Sequence, residues 1–381
     1  IGHSLVKNRL IETIKKNRIS HAQLFLGPEG SGKLSLALAY AQYINCLNPT
    51  KEDSCGECKS CKKFQALAHP DLHFVFPVVR SPKISKPVSI DYLPQWREFL
   101  NNSKQHSYNK WLDFLGTENL QGSIYAQESK EILRIVNLKT FDAKYKIIII
   151  YMPEKMNISA ANKLLKAIEE PPPQTIFILV SEDESQIITT ILSRTQLIKI
   201  PRLTNEQIFD NLKTNYPDYD ESKLNSIAKI SNGNAEYADE ILQEEINPDS
   251  GGLSEVFELF KNFMRLAFSP NFELINVLID DIGKLGREKQ KNFIVFSLRL
   301  IRENFILNTK SGEESLSFLT KDESNFSVKF NQFINQNNIF ALYEEFNKAY
   351  ADLIRNASAK ILFLDLILKT AKLLKIKQTV N

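Results

Sequence analysis

Short apolar runs alternate with helix-like segments over the first 200 residues of the chain. Four of these runs contain mainly apolar side chains and are too short for free-standing helices. They lie at residues 24–26, 147–150, 176–180 and 196–200. Between the second and third runs, ISAANKLLKAIEE (158–170) has a helical pattern that ends at three prolines, because proline cannot continue the backbone hydrogen-bond ladder. This alternation predicts an α/β fold with a largely parallel sheet of buried strands.

Beyond residue 200 the strand signals fade, and helical periodicity continues to the end of the chain. We place domain boundaries near residues 201 and 248. The second boundary lies in NPDSGG (247–252), whose composition is typical of a linker. The sequence therefore predicts an α/β domain over residues 1–200, a small helical domain over 201–247 and a second helical domain over 248–381.

The segment from about residue 80 to residue 122 does not follow the α/β alternation. It contains a polar stretch, SPKISKP, and then an amphipathic region with both tryptophans of the chain, Trp96 and Trp111. Aromatic residues at such spacing are more typical of packing anchors than of ligand contacts. We therefore expect a helical insertion in the α/β domain.

Composition places the chain among ordinary globular proteins, with 43% hydrophobic and 24% charged residues. A net charge of +3 is too small to indicate a nucleic-acid-binding surface by itself. No apolar run approaches the roughly 18 residues needed to span a bilayer, and the first residues lack the apolar centre of a signal peptide. We expect a cytoplasmic protein and, because the sequence begins with Ile, a short preceding stretch.

All four cysteines lie within sixteen residues, in CLNPTKEDSCGECKSC. The spacing C-x8-C-x2-C-x2-C lets four thiolates complete a tetrahedral shell, which suits Zn²⁺. Disulfides are not expected in a reducing cytosol, and an iron–sulfur cluster is the main competitor, although the ferredoxin spacing C-x2-C-x2-C-x3-C-P is not matched. Because four protein ligands leave no open position, we predict a structural zinc module over residues 46–61, with ligands Cys46, Cys55, Cys58 and Cys61. The nearby His69 and His73 are not assigned as ligands, since the cysteines already fill the shell.

A glycine-containing loop follows the first predicted strand. Residues 27–34 read GPEGSGKL, close to the phosphate-binding pattern G-x-x-x-x-G-K-[ST]. Gly27, Gly30 and Gly32 allow the backbone to wrap phosphate oxygens, and Lys33 supplies a positive charge. A strand before the loop and an Ala- and Leu-rich helix after it are the context that a phosphate loop requires, so we predict one here.

The metal and base positions of this loop are degraded. Leu34 replaces the hydroxyl residue that holds Mg²⁺, and Ser35 is a poor substitute because one step of about 100° around the helix turns its hydroxyl away. After the next core strand, where an Asp holds the metal and a Glu prepares water, the sequence has Met152 and Pro153, with Glu154 one position beyond. The sequence favours a chain without ATPase activity of its own. It leaves open whether ATP or Mg²⁺ binds or whether the loop is kept only for its shape.

These features, in this order, resemble the delta-prime subunits of the bacterial DNA polymerase III clamp loader, which are related to the gamma/tau subunits within the AAA+ proteins. The resemblance rests on HAQLFLGPEGSGK, on the cysteine module running into KKFQALAHPDLHFV, on ANKLLKAIEEPPPQTIFILVSE and on ILSRTQ. It covers most of residues 3–247 apart from the segment near 80–122. For residues 248–381 it rests on size and helical character alone.

The resemblance implies an AAA+ P-loop domain with an inserted zinc module, an all-α lid over 201–247 and an all-α collar over 248–381. It further implies gamma/tau and delta subunits as partners in a five-membered ring. That ring opens a sliding clamp and closes it on primed DNA, and no membrane takes part.

One residue of the family's SRC motif carries a specific role. The motif is here Ser193-Arg194-Thr195, which loses the cysteine and keeps the arginine. In the family this arginine reaches the ATP of the neighbouring subunit, so the resemblance makes Arg194 the candidate arginine finger in trans. From the sequence alone, Arg194 could instead pair with a carboxylate such as Glu182 or Glu184.

Three hypotheses follow. The degraded metal and base positions favour a delta-prime subunit that is a structural and regulatory member of the ring. An active gamma/tau-like clamp-loader ATPase with an atypical metal shell is the alternative. The third is an AAA+ DNA-repair or recombination factor, which would not associate with a sliding clamp.

Overall fold

The structure is a computed structural model that describes residues 2–82, 84–103, 106–117, 120–247, 252–309 and 318–376. These residues form two compact units. The first contains nearly all of them up to Asp239, and the second contains those from Glu240 onward together with Lys229–Ser231 and residues 120–121. The boundaries near residues 201 and 248 stay predictions, and most of the predicted linker lies outside the described residues.

The first unit is built around a five-stranded parallel sheet with the strand order β2-β3-β4-β1-β5. The strands are Ala22–Leu26 (β1), Leu72–Val75 (β2), Lys146–Tyr151 (β3), Thr175–Ser181 (β4) and Gln196–Lys199 (β5). Four of them correspond to the four apolar runs, and the predicted parallel α/β architecture is confirmed. The apolar pattern does not predict β2, because a histidine interrupts the apolar run in LHFV.

Both faces of the sheet are buried at its inner strands, whereas β5 at the edge is mostly exposed. Along β3, Ile147 and Ile149 enter one apolar cluster, and Ile148 and Ile150 enter another. This is expected because successive side chains of a strand point to opposite faces. All residues of β3 and β4 are buried, as in a parallel sheet covered on both sides.

Helices connect and cover these strands. Those around the sheet are α1 (Ser4–Lys15), α2 (Lys33–Ile44), α3 (Lys59–Gln65), α4 (Leu93–Asn102), α5 (Tyr108–Phe114), α6 (Glu128–Asn137), α7 (Ile158–Glu169) and α8 (Thr189–Leu192). Three further helices follow the sheet: α9 (Asn205–Asn215), α10 (Glu221–Ile230) and α11 (Ala235–Ile246). The α7 helix ends with Glu170 as its C-cap, directly before the proline run that predicts its end.

The segment near residues 80–122 contains α4 and α5 and has an aromatic core of its own. Trp96 and Trp111 are completely buried, and their ring centroids lie 5.0 Å apart. Phe76 stacks on Trp96 at 4.3 Å. The indole Nε1 of Trp111 donates a hydrogen bond to the carbonyl oxygen of Pro77 at 2.8 Å. The tryptophans are therefore packing anchors, as their spacing predicts.

The described residues of the second unit are mostly helical, joined by short turns. Its main helices are α12 (Leu253–Phe268), α13 (Phe272–Lys284), α14 (Arg287–Asn308), α15 (Lys321–Phe330), α16 (Ile339–Ile354) and α17 (Ala359–Leu373). Phenylalanine dominates the core, with eight buried rings: Phe257, Phe260, Phe263, Phe293, Phe296, Phe330, Phe346 and Phe363. Across the described part of the chain, none of the helices has the length and apolar character that a bilayer crossing needs.

Candidate functional site

The glycine loop joins β1 to α2 at the carboxyl edge of the sheet. Gly30 and Gly32 have φ values of +68° and +76°, in the left-handed region that glycine adopts without steric cost. A β-carbon on Gly27 would lie 2.5 Å from the carbonyl oxygen of Ile200. The three predicted glycines therefore meet needs of backbone conformation or of space. The α2 helix starts without a side-chain cap, which leaves N–H groups suited to an anion.

Lys33 is buried, and its charge is already paired. Its Nζ donates hydrogen bonds to Glu182 Oε1 at 2.8 Å and to the carbonyl oxygen of Pro28 at 3.2 Å. The lysine side chain is 7% exposed and the glutamate side chain 25%. Glu182 directly follows β4, the strand beside β1. Because the carboxyl ends of parallel strands share one edge, that position is the sequence signal that could have identified this partner.

The positions expected to hold a metal ion are packed into the interior. Leu34 is buried within the apolar cluster on one face of the sheet, and Met152 belongs to the same cluster. The backbone N–H of Met152 donates to the carbonyl oxygen of Val180 at 2.9 Å, and Pro153 is buried after it. Neither Leu34 nor Met152 offers an oxygen ligand, so the structure places apolar side chains where the metal site of an ATPase would lie.

Glu154 lies beside this edge and supports the segment after β4. Its Oε1 accepts a hydrogen bond from the backbone N–H of Glu182 at 2.9 Å. Its Oε2 is buried without a hydrogen-bond partner among the described residues. Burial is the main cause that raises the pKa of Glu154. Glu154 thus fixes the backbone of the residue that binds Lys33.

The beginning of α11 also contacts the loop. The backbone N–H of Ala235 donates to the carbonyl oxygen of Gly30 at 3.0 Å. A β-carbon on Gly30 would lie only 1.7 Å from Asn234 Oδ1, so the asparagine lies directly over the glycine. Glu236, which follows Ala235, accepts hydrogen bonds from the backbone N–H groups of His106 and Ser107. The loop, the start of α11 and the insertion are therefore connected within the first unit, a link that the sequence did not indicate.

Arg194 lies apart from these loop contacts, between α8 and β5. Its Nε donates to Glu169 Oε2 at 2.7 Å, and its Nη1 donates to the carbonyl oxygen of Thr190 at 3.0 Å. The carboxylate partner is thus Glu169, at the end of α7, rather than the suggested Glu182 or Glu184. Glu182 is engaged by Lys33, whereas α7 packs against α8 and brings Glu169 within reach. The arginine side chain remains 31% exposed.

The four predicted cysteines come together. Their sulfur atoms all lie within 4.8 Å of one another, with Cys46–Cys55 at 3.5 Å and Cys55–Cys61 at 3.9 Å. A tetrahedral thiolate site with Zn–S bonds of about 2.3 Å requires S–S separations of about 3.8 Å. Backbone N–H groups of Cys55, Cys58 and Cys61 donate to the sulfur of the preceding cysteine. The arrangement could hold one metal ion, and its closed shell suits a structural role.

The two histidines after this module have other environments. His69 Nδ1 accepts a hydrogen bond from the backbone N–H of Asp71 at 3.1 Å, and its ring lies 4.6 Å from that of Phe64. His73 lies in β2, where burial and the nearby Lys146 lower its pKa to about 4. The carboxylate of Asp71 accepts hydrogen bonds from three successive backbone N–H groups, at residues 141–143. These contacts stabilise the fold, and neither histidine belongs to the group that could hold a metal ion.

A strand, a glycine loop and a helix within an all-parallel sheet define a protein of the P-loop class, here with apolar residues in place of the metal ligands. The family model described as "DNA polymerase III, delta subunit" matches residues 2–204. The chain belongs to this family, which is one of bacterial clamp-loader AAA+ subunits.

Named relatives include both kinds of clamp-loader subunit. DNA polymerase III subunit delta' of Bacillus subtilis is 30% identical over 207 residues, covering 54% of this chain and 50% of the relative. Subunit tau of the same organism is 23% identical over 381 residues, covering 95% of this chain and 59% of the relative. A solved gamma subunit-related protein of Thermotoga maritima is 14% identical, covers 97% of this chain and 99% of its own, and has a TM-score of 0.43. The chain spans about half the length of the first of these relatives.

Proposed function

We propose that the chain is a delta-prime-type clamp-loader subunit of DNA polymerase III. It is a cytoplasmic, structural and regulatory member of a five-subunit ring that loads the sliding clamp onto primed DNA, with gamma/tau and delta subunits as partners. The observation that supports this proposal is the degraded metal site, where Leu34 and Met152 contribute to the core. In this proposal, residues 1–200 are the AAA+ domain, 201–247 the lid and 248–381 the collar through which the subunits assemble.

In this proposal, Arg194 is the residue through which the subunit promotes ATP hydrolysis in its neighbour. A γ-phosphate in the neighbouring subunit develops charge during transfer, and a planar guanidinium is suited to stabilise it. Glu169 holds one edge of the Arg194 guanidinium, while Nη2 has no hydrogen-bond partner among the described residues. A partly exposed and pre-oriented arginine is what a finger acting in trans requires.

The test is an ATPase assay on the reconstituted ring. The chain is mixed with the gamma/tau and delta subunits of the same organism, ring size is measured, and clamp- and DNA-dependent hydrolysis is compared for wild type and Arg194→Ala. We expect intact assembly and a rate roughly a thousandfold lower. Arg134→Ala is the matched control, because Arg134 is a surface arginine that also pairs with a glutamate, Glu131. An unchanged rate in an intact Arg194→Ala ring contradicts the finger, and failure of the folded partners to form a ring contradicts the clamp-loader proposal.

The gamma/tau-like ATPase is kept as a second candidate because the similarity to subunit tau extends over 95% of the chain. It predicts that the isolated chain hydrolyses ATP and that Lys33→Ala abolishes this activity. We expect no hydrolysis above the Lys33→Ala background. Measurable wild-type turnover that is lost in this variant would establish the second candidate instead.

We further propose that the ion of the four-cysteine module is Zn²⁺ in a structural role. Four thiolates at near-tetrahedral separations match the preference of zinc, and no ligand position is left for water or substrate. The module closes a loop between α2 and α3 that has little apolar core of its own.

A further inference from the structure

The lysine of the phosphate loop, Lys33, is paired with a carboxylate of the same chain, that of Glu182. The bond from Lys33 Nζ to the Pro28 carbonyl oxygen holds the ammonium group back over the loop. Glu182 Oε1 lies 2.8 Å from that ammonium group, so an anionic oxygen contacts the group that would bind a phosphate. Carboxylate and phosphate oxygens compete for the same kind of donor, a charged N–H.

Neighbouring residues keep this carboxylate in place. Glu154 fixes the backbone N–H of Glu182, and both acids follow interior strands of the sheet. Asn234, just before α11, lies over Gly30. A third acid, Glu236, also lies near Lys33. Burial raises the pKa of Glu236, and the positive charge of Lys33 only partly opposes this rise. An incoming polyphosphate therefore meets one paired lysine and several carboxylates.

We propose that Glu182 is the specificity-determining residue that excludes polyphosphate, including the triphosphate of a nucleotide, from this loop. The Glu182 carboxylate acts as an internal competitor for Lys33. The inference deepens the proposed function, since it rests on the assignment of residues 27–34 as a silent P-loop. It also implies that the backbone cradle is retained and that removing one negative charge opens it.

Binding to the isolated full-length chain tests this proposal. The probe is trinitrophenyl-ATP, with inorganic tripolyphosphate as the competitor. We expect Glu182→Gln, which keeps the shape and removes the charge, to bind at least tenfold more tightly than wild type. Glu182→Ser, which removes the carboxylate and most of the side chain, should bind the probe at least as tightly as Glu182→Gln does. Tripolyphosphate should displace the probe, and the double variant Glu182→Gln/Lys33→Ala should lose the gain.

Glu184→Gln is the matched control, because Glu184 is an exposed acid two residues further along the same segment. It should bind like wild type. If both Glu182 variants melt at the wild-type temperature and bind no more tightly, Glu182 is not the barrier. Wild-type binding that is as tight as that of the variants overturns the proposal too. These outcomes need no ring, so they are independent of whether the clamp-loader proposal holds.

A separate observation concerns the insertion at residues 80–122. The carboxylate of Glu236 accepts from the His106 N–H at 3.0 Å through Oε1 and from the Ser107 N–H at 3.1 Å through Oε2. The hydroxyl of Tyr151, at the end of β3, donates to the His106 carbonyl oxygen at 2.8 Å. The turn at His106 and Ser107 is thus bound to the sheet on one side and to α11 on the other.

We infer that the insertion is a latch that holds the start of α11 against the phosphate loop. The chain of contacts runs from Tyr151 through His106 to Glu236 and then, one residue earlier in α11, from Ala235 to Gly30. Each of these bonds uses a backbone group, so the latch does not depend on anything bound in the loop. Glu236 is a positioning residue in this device.

Hydrogen exchange detects the latch directly. In Glu236→Ala we expect amide exchange at least tenfold faster in peptides covering residues 27–36 and 234–242, with wild-type exchange in β3 and β4. Glu206→Ala, which removes an exposed acid from α9, is the control and should match wild type. If only the amides of residues 106–108 exchange faster, the insertion does not hold α11. Should the alanine variant unfold, Glu236→Gln, which keeps one acceptor oxygen, must show a smaller change in the same peptides or the latch is wrong.

Discussion

At the level of single residues, the glycines of the phosphate loop meet two different physical needs. Gly32 has a φ of +76°, and a β-carbon there would meet nothing within 4 Å. Gly27 has no such φ, but its β-carbon would collide with the backbone beyond β5. Gly32 avoids the strain of a left-handed backbone, and Gly27 allows two chain segments to approach closely.

This difference predicts unequal costs of substitution. Gly32→Ala should lower the free energy of unfolding by about 1 kcal/mol, the cost of left-handed backbone for alanine. Gly27→Ala should cost more, roughly 2–3 kcal/mol, because the rigid Ile200 carbonyl group must move. Urea unfolding measures both, and Gly116→Ala, with a φ of +64° in open space, is the control that should behave like Gly32→Ala. Equal costs at Gly27 and Gly32 would contradict this account.

A buried acid outside the loop gives the unit a pH dependence. Burial, with the nearby Glu131 and Asp91 as smaller contributions, raises the pKa of Glu128 from 4.5 to about 7. The folded chain therefore keeps a proton that the unfolded chain releases between these values, so the Glu128 contribution to stability falls as pH rises through this range. Glu128→Gln should remove that fall, with a gain on the order of 1–3 kcal/mol at pH 8 and little change at pH 4.5.

Urea unfolding of wild type and Glu128→Gln at the two pH values checks the sign. Glu131→Gln, a change in a more exposed acid of the same helix, serves as the comparison and should show no comparable window. A gain for Glu128→Gln that is equal at both pH values would show that charge burial is not the cause.

At this scale the sequence points to residues within one motif and does not reveal pairs that are distant along the chain. The glycines, Lys33 and the four cysteines are all identified from local spacing. The partner of Lys33 is 149 residues away, and only the order of the strands brings Glu182 to the same edge. The partner of Arg194 is missed for the same reason, since it depends on how α7 packs against α8.

At the level of elements, the insertion depends on two tryptophans with unequal hydrogen bonding. Trp111 Nε1 donates to the Pro77 carbonyl oxygen, whereas Trp96 Nε1 is buried without a partner among the described residues. Both rings contact the same aromatic cluster, which also contains Phe76 and Phe99. The two side chains therefore differ mainly in the bond that one makes.

Trp111→Phe should accordingly destabilise the chain more than Trp96→Phe, by about 1 kcal/mol. Trp111→Phe leaves the buried Pro77 carbonyl oxygen without its donor, whereas Trp96→Phe removes an N–H that makes no hydrogen bond among the described residues. Chemical unfolding of both variants gives the difference directly. Phe114→Ala, in a side chain 41% exposed beside the cluster, should cost less than either tryptophan truncated to alanine. A larger loss for Trp96→Phe than for Trp111→Phe would refute the hydrogen-bond argument.

The four-cysteine module predicts a dependence on metal. Protein purified without chelators should contain one zinc per chain by mass spectrometry, and Cys58→Ser should lose it and lower the melting temperature. Loss follows because three cysteines and a weaker oxygen ligand no longer fill a tetrahedral thiolate shell. Ser54→Ala, which changes a hydroxyl inside the module but no sulfur, is the control. Absence of zinc, or the visible absorbance of an iron–sulfur cluster, would contradict the assignment.

At the level of the whole molecule, the phosphate loop and the phenylalanine core lie in different compact units. Apolar periodicity predicts the parallel sheet and the helical second half, because burial patterns are local in sequence. It does not predict β2 or the contacts of the insertion with α11. Those depend on tertiary packing, because a strand interrupted by a histidine and a polar turn carry no clear apolar pattern.

The packing of Leu34 also limits which substitutions this position can accept during evolution. Leu34 is 3% exposed within the sheet-side core, so exchange for the serine or threonine of an active loop would leave a cavity and bury a hydroxyl. Such a change costs about 2–5 kcal/mol, a large share of the stability of a typical domain. That single step restores no set of oxygen ligands either, because Met152 and Pro153 offer none. In the proposed silent loop, a route toward hydrolysis that begins at Leu34 therefore passes through a less stable intermediate that still lacks a metal site.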